Sequence, residues 1–280
     1  MAKRPLSSYV RHTVFGLLSF ILCVLLFFLS LATVLSVTLF NSSDFLFDSM
    51  NSSNYFNDKA DEITEDLTDL GYASGLKEEF FDGLINGVML SNDTQNYLES
   101  YYNGEGTKID TTEFKQTFNA ALDKYIDENN IKVTSAASRD NLVNKAAAVY
   151  KNSLEIPFFS SLSSYFLAVK AALPFVIGGL IFFIAVICVV FFLANKWKHR
   201  AVKYIYYGVA GAFLTVGVIP TIILLSGVIA KINLESRALY NLFVQCGNGI
   251  CLALVFVALF FLLVAIALYI QYRRMHRKVS

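Results

Sequence analysis

The stretch "LFVQCGNGICLALVFVALFFLLVAIALYI", residues 242–270, decides the fold of this chain. It contains no Asp, Glu, Lys, Arg or His, and it exceeds the roughly 20 apolar residues that cross a ~30 Å hydrocarbon layer. Three further uncharged runs have the same character, at residues 14–40, 171–194 and 204–230. We therefore predict an all-α integral membrane protein with four transmembrane helices.

The overall composition supports this class. Of the 280 residues, 55% are hydrophobic, and the mean hydropathy is +0.52, whereas soluble domains are about 45–50% apolar. The basic start and the small residues near the end of the run 14–40 also fit a signal peptide. Its 27 residues exceed the roughly 7–15 of a signal-peptide core, so we predict an uncleaved anchor.

Charge is distributed unevenly along the chain. The segments 1–13, 195–203 and 271–280 hold eleven basic residues and no acidic ones. Residues 41–170 hold 21 Asp and Glu against ten Lys and Arg, which leaves a net charge of −11. The positive-inside rule then predicts a multi-pass plasma-membrane protein with both termini cytoplasmic and residues 41–170 extracellular.

The basic flanks are predicted to anchor the spans against anionic lipid head groups, at about 1 kcal/mol per residue. No flank is long enough to follow a nucleic-acid backbone, so the predicted partner is the lipid bilayer and not a nucleic acid. The predicted anchoring residues are Lys196, Lys198, Arg200, Lys203, Arg273, Arg274, Arg277 and Lys278.

The segment 41–170 is predicted to be a helical extracytoplasmic domain inserted between the first and second spans. Apolar residues recur every three or four positions in several stretches, whereas alternating strand patterns are nearly absent. The predicted helices cover residues 54–70, 75–85 with Ser74 as the cap, 91–102, 110–130 and 136–154. Residues 231–241 are predicted to be a short external loop. The domain has no cysteine, which together with its Asn, Asp, Lys and Tyr content favours a bacterial origin without disulfides.

The order of these features resembles a family of four-span integral membrane proteins of Gram-positive bacteria. The resemblance rests on "SSNYFNDK" (52–59), "IDTTEFKQTFNAALDKYIDENN" (109–130), "YKNSLEIPFFSSL" (150–162) and "KHRAVKYIYYG" (198–208). It covers most of the chain and implies the same architecture and a bacterial origin. None of these motifs is catalytic, and the resemblance implies no activity.

Few residues point to chemistry. The three histidines, His12, His199 and His276, flank the spans, and the spans contain no acidic residue. The chain has no His-Glu-x-x-His motif, phosphate-binding loop or dinucleotide glycine pattern. The acidic stretch 103–113 lacks the order of an EF-hand. We therefore predict no enzyme activity, no metal site and no cofactor.

The remaining candidates lie in the last two spans. Asn241, Gln245 and Asn248 fall within about 60° on one helical face and form a candidate polar notch. Amides in such a place either join helices or face a substrate or a partner subunit. In the third span, Pro220 with Gly217 is a candidate hinge, because proline removes a backbone donor.

Three functions remain open on the sequence alone. The leading hypothesis is a membrane protein without enzyme activity whose acidic outside domain mediates an interaction or senses the envelope. Its partner would be another protein or a second copy of the chain. The second is a small transporter or channel-like protein that uses the notch and the hinge. The third is a structural subunit of a membrane complex.

Overall fold

In a computed structural model of the chain, the structure describes residues 6–106, 109–130, 135–157, 159–195 and 197–277, and side chains from His12 onward. The regular secondary structure of the described part is all helical, without a strand. The helices are α1 (Leu6–Leu35), α2 (Asp44–Ser52), α3 (Tyr55–Tyr72), α4 (Gly87–Asn103), α5 (Thr112–Asn129), α6 (Ala136–Leu154), α7 (Phe159–Ala194), α8 (Lys198–Ser226) and α9 (Arg237–Arg277).

Four of these helices are long and apolar enough to cross a membrane. They are α1 with the π-helical turn Ser36–Phe40 that continues it, α7, α8 and α9. This confirms the predicted helical class and the four candidate spans. The helices differ from the predicted runs at their ends, since α7 begins well before residue 171 and α9 begins within the segment 231–241 that was predicted as a loop.

The chain forms two compact units. The first, here called the membrane unit, comprises residues 1–41, 169–231 and 247–280. The second, here called the helical domain, comprises residues 42–168 and 232–246. The long helices α7 and α9 therefore each contribute their first residues to the helical domain and their remaining residues to the membrane unit.

Helices α1 and α8 pack closely in the membrane unit. A Cβ atom added at Gly208 would lie 2.8 Å from Leu22 Cδ2, which is closer than a real Cβ contact. The absence of a side chain at Gly208 therefore allows α1 and α8 to pack this closely. The Ser19 hydroxyl donates to the backbone carbonyl of Tyr204, and His12 Nδ1 lies 2.7 Å from the Tyr204 hydroxyl. These contacts fix the register of α1 against α8.

The core of the helical domain is rich in aromatic side chains. Tyr150 of α6 stacks on Phe114 of α5, with ring centroids 4.4 Å apart, and its hydroxyl donates to Asp93 of α4 at 2.6 Å. Aromatic side chains of α4, α5 and α6 thus form a large part of this core. The buried core side chains include Tyr55, Ile63, Leu67, Leu90, Tyr97, Leu98, Phe114, Phe118, Leu122, Val143, Ala146 and Tyr150.

The sequence predicts most helices of the domain, but it misses α2 and predicts a helix over residues 75–85 that does not form. Residues 75–85 form only a 3-10 turn at Glu78–Phe80 and irregular turns. Gly75 and Gly83 adopt left-handed conformations with φ of 81° and 71°, which interrupt a helix. The apolar residues there are buried as predicted, but they enter the core from a loop.

Candidate functional site

The start of α9 is built into the helical domain by a cluster of polar residues. Ser236 caps the helix, because its hydroxyl accepts the Leu239 amide at 3.2 Å. Glu62 of α3 reinforces the cap by accepting the Ala238 amide at 3.1 Å and the Ser236 hydroxyl at 2.8 Å. A carboxylate at a helix N-terminus also interacts favourably with the helix dipole. These contacts explain why α9 begins at Arg237, five residues before the apolar run 242–270 from which the fourth span was predicted.

Asp58, one turn before Glu62 on α3, makes the second set of contacts to α9. Its side chain is only 5% exposed, and it accepts the Asn241 amide at 2.7 Å. Arg237 Nε lies 3.3 Å from the other carboxylate oxygen, but the Arg237 side chain is 79% exposed. Exposed ion pairs contribute about 0–1 kcal/mol, whereas a hydrogen bond to a buried charge contributes about 1.5–3 kcal/mol. Asn241 is therefore the principal partner of Asp58.

Five residues thus form what we call the attachment cluster: Asp58, Glu62, Ser236, Arg237 and Asn241. Apolar packing lies beside it, since Ala238 and Leu242 of α9 are 0% and 6% exposed within the core of the helical domain. Removing a partner from such a network leaves a buried polar group unsatisfied, which costs more than the bond itself contributes. The cluster therefore holds the first two turns of α9 firmly on α3.

The electrostatics of Glu62 reflect the same contacts. Burial acts to raise the pKa of the Glu62 carboxyl, but hydrogen bonds from Lys59, the Ala238 amide and Ser236 outweigh it, and the pKa lies below its usual 4.5. The Lys59 ammonium lies 2.9 Å from Glu62 and is itself only 10% exposed. Glu62 is thus held as a carboxylate at neutral pH.

Two of the three predicted notch residues make hydrogen bonds within the helical domain. Gln245 donates to the Ser52 hydroxyl of α2 at 3.1 Å, so Gln245 and Asn241 both bind the helical domain. Asn248 is exposed and belongs to the membrane unit. Two of the three amides therefore contact residues that precede them by more than 180 positions.

A second attachment, of different chemistry, joins the start of α7 to α4. Phe159 stacks on Tyr101 with ring centroids 4.5 Å apart, and Phe166 lies 4.9 Å from the rings of both Tyr101 and Tyr102. This contact is aromatic, whereas the attachment of α9 is polar and partly charged. The first residues of both helices are thus packed against the helical domain.

The candidate hinge lies in an uninterrupted helix. α8 runs from Lys198 to Ser226 through Pro220, which is buried. A Cβ atom added at Gly217 would lie 3.0 Å from the Ala258 methyl group of α9. Gly217 therefore serves close helix packing, and the Thr221 hydroxyl bonds its carbonyl at 2.7 Å.

Six of the eight predicted anchoring residues are described, and they lie near helix ends. Lys203 is placed over the Tyr207 ring and Arg273 over the Tyr269 ring, each 5.6 Å from the centroid. Lys198 and Arg200 lie in the first turn of α8, and Arg274 and Arg277 lie in the last turn of α9. Lys196 and Lys278 lie outside the described residues.

The described residues offer no obvious catalytic arrangement. Within them, no group of three or more His, Cys, Asp or Glu side chains is placed to hold a metal ion. The four cysteines, two in α9 and one each in α1 and α7, are free thiols. Sequence reasoning missed Asp58 and Glu62, and the only signal for them was charge beside the apolar stripe of a helix. No protein-family model, curated protein or solved structure matches this chain.

Proposed function

We propose that this chain is a bacterial plasma-membrane protein without enzyme activity, whose acidic helical domain faces the outside, contacts a partner and transmits that contact to α9. The partner is another protein or a second copy of the chain. Transmission requires a connection that moves as one piece, and a continuous helix supplies it. α9 has 41 residues, which corresponds to about 60 Å at 1.5 Å per residue.

The observation that carries the proposal is the attachment cluster. A span that only crossed the membrane would need no buried carboxylate at its start. Here Asp58 and Glu62 of α3 hold the side chain of Asn241 and the capping residue Ser236. A displacement of α3 therefore displaces the first turns of α9, and the hydrogen bonds set the direction of that displacement.

The same contacts favour interaction over transport. A polar notch that guides a substrate needs side chains free to bind it. Asn241 and Gln245 instead donate to Asp58 and Ser52. The four apolar runs, at residues 14–40, 171–194, 204–230 and 242–270, contain no acidic or basic residue for ion coupling. The transporter hypothesis keeps the exposed Asn248 and the candidate hinge at Gly217 and Pro220.

Coupling is tested by removing both carboxylates. We expect Asp58→Ala with Glu62→Ala, in the full chain in lipid nanodiscs, to raise deuterium uptake over residues 236–246 at least tenfold, because the cap and the buried bond are both lost. Glu65→Ala is the matched control, since Glu65 is exposed on the same helix. Wild-type uptake in the double variant would reject the coupling.

Orientation and partner are tested in cells. A membrane-impermeant maleimide should label a cysteine introduced at Lys124 in a cysteine-free background, but should not label one introduced at Arg274. A photo-crosslinking residue at Glu65 or Tyr72, both exposed on α3, should capture one reproducible protein. Labelling at residue 274 in intact cells, or no specific product from either crosslinking position, contradicts the proposal.

A further inference from the structure

An open groove lies on the helical domain between the α2–α3 turn and the first turns of α4. It has a volume of about 350 Å³, within the range of about 300–1,000 Å³ typical of small-molecule sites. Its lining combines an apolar floor with amide and hydroxyl groups: Met50, Asn51, Asn54, Phe56, Asn57, Gly87, Val88, Ser91 and Asn92.

The lining contains no charged residue, although the segment 41–170 has a net charge of −11. Four of the nine lining residues are asparagines. Each amide offers donors and an acceptor a short distance apart, which matches the adjacent hydroxyl groups of a sugar ring. Val88, which is 71% exposed, and the edge of the largely buried Phe56 offer a small apolar surface for the C–H face of such a ring.

Two of the asparagines are joined by a hydrogen bond between their side chains. Asn57 Nδ2 donates to Asn54 Oδ1 at 2.7 Å, so the nitrogen of Asn54 and the oxygen of Asn57 remain for another partner. Asn54 has φ of 62°, a left-handed conformation that costs energy in a residue other than glycine. The hydrogen bond between the two side chains orients both amides before any ligand binds.

The groove also adjoins the residues that hold α9. Asn51 directly precedes Ser52, which accepts the Gln245 amide. Asn57 directly precedes Asp58, which accepts the Asn241 amide. A ligand that moves either asparagine also moves the backbone of a residue bonded to α9.

We propose that this groove binds a neutral saccharide of one or two rings and that it is the ligand site of the helical domain. Binding through the asparagine amides replaces the hydration of the sugar hydroxyls, and the neutral lining disfavours charged ligands. The effect of binding on α9 rests on the proposed function, but binding itself does not.

Saturation-transfer-difference NMR on the full chain in nanodiscs tests binding, with empty nanodiscs as the blank. The probes are maltose and N,N′-diacetylchitobiose, with glucuronate and the tripeptide Ala-Asn-Ala as comparisons. We expect a signal from at least one neutral disaccharide and none from glucuronate. No signal from either disaccharide in the wild-type protein, or a signal from the tripeptide alone, overturns the proposal.

Two substitutions locate the site without disturbing the core. Asn54→Gly removes an amide where glycine adopts the backbone conformation more easily, and Asn92→Ala removes an exposed amide from α4. Each should weaken disaccharide binding about tenfold. Asn96→Ala, one turn further along α4 and outside the lining, should leave it within about twofold. Equal binding by all three variants overturns the assignment of the groove.

Deuterium uptake over residues 236–246, with and without the bound disaccharide, separates the two proposals. Disaccharide binding that depends on Asn54 and Asn92 but leaves this uptake unchanged supports the saccharide site and counts against coupling to α9. If the double carboxylate variant takes up more deuterium over residues 236–246 but the wild-type protein binds no saccharide, the coupling to α9 is supported and the saccharide site is rejected.

Discussion

The buried carboxylate of Asp58 accepts a hydrogen bond from the Asn241 amide at 2.7 Å, between residues 183 positions apart. Asp58 lies on α3, and Asn241 lies in the second turn of α9. A helix that is long and apolar enough to cross a membrane therefore begins as part of the helical domain.

The first prediction compares two asparagines of α9. Asn241→Ala should destabilise the helical domain by about 1–3 kcal/mol, because it leaves the buried Asp58 carboxylate without its principal donor. Asn248→Ala should change stability by less than about 0.5 kcal/mol, since Asn248 is exposed. Thermal unfolding of the full chain in detergent, followed by circular dichroism, measures the difference. Equal midpoints would show that the notch residues are equivalent.

The second prediction concerns pH. The folded state lowers the pKa of Glu62 below 4.5, so its carboxylate stabilises the fold above the unfolded pKa, and this stability is lost as the pH falls through the folded pKa. Glu62→Gln should therefore lower the unfolding midpoint at pH 7, and the difference from wild type should shrink as the pH falls below 4.5. Glu65→Gln is the control and should follow the wild-type curve throughout. A constant gap between Glu62→Gln and wild type from pH 7 to pH 3 would exclude this role for Glu62.

The third prediction tests the irregular segment after α3. A Cβ atom at Gly71 would lie 2.3 Å from the ring of Phe81, which is 2% exposed. Gly71→Ala should destabilise the domain by about 1–3 kcal/mol, because a core ring must shift. Gly87→Ala, whose Cβ would come no nearer than 3.7 Å to its closest neighbour, should be close to neutral. Chemical denaturation in detergent distinguishes the two, and a neutral Gly71→Ala would refute the packing.

The fourth prediction concerns the membrane unit. Gly208→Ala should lower the thermal stability of the α1–α8 pair, since its Cβ would collide with Leu22 and approach the Ser19 carbonyl at 3.1 Å. Gly178→Ala in α7 meets nothing within 4 Å and should be neutral, or slightly stabilising through its higher helix propensity. Size-exclusion chromatography after heating in detergent is a suitable measurement. Equal tolerance at both glycines would argue against close packing at Gly208.

Local patterns were sufficient for most helices. The apolar spacing over residues 136–154 predicts α6 with the bounds that the structure has, because period and composition are local properties. The same reasoning fails at residues 75–85, where the spacing is helical but Gly75 and Gly83 adopt left-handed conformations. Periodicity shows which residues are buried, and the backbone conformation of glycine then decides whether a helix carries them.

The sequence indicated the α9 residues of the candidate site but not the residues that they bind. The amides of Asn241 and Gln245 are conspicuous in an apolar run, and they do bind specific partners. Their partners, Asp58 and Ser52, lie in a segment where polar residues are common, so nothing local distinguishes them. A bond across more than 180 residues depends on the packing of the whole domain, which a single sequence does not reveal.

The burial of Ala238 and Leu242 in the domain core has a consequence for biosynthesis. The ribosome produces these residues only after α7 and α8, whereas the other core residues, from Leu46 to Ile156, come earlier. The helical domain therefore lacks part of its core until residue 246 has been made. Until then the nascent chain exposes apolar surface, which is the condition that recruits chaperones.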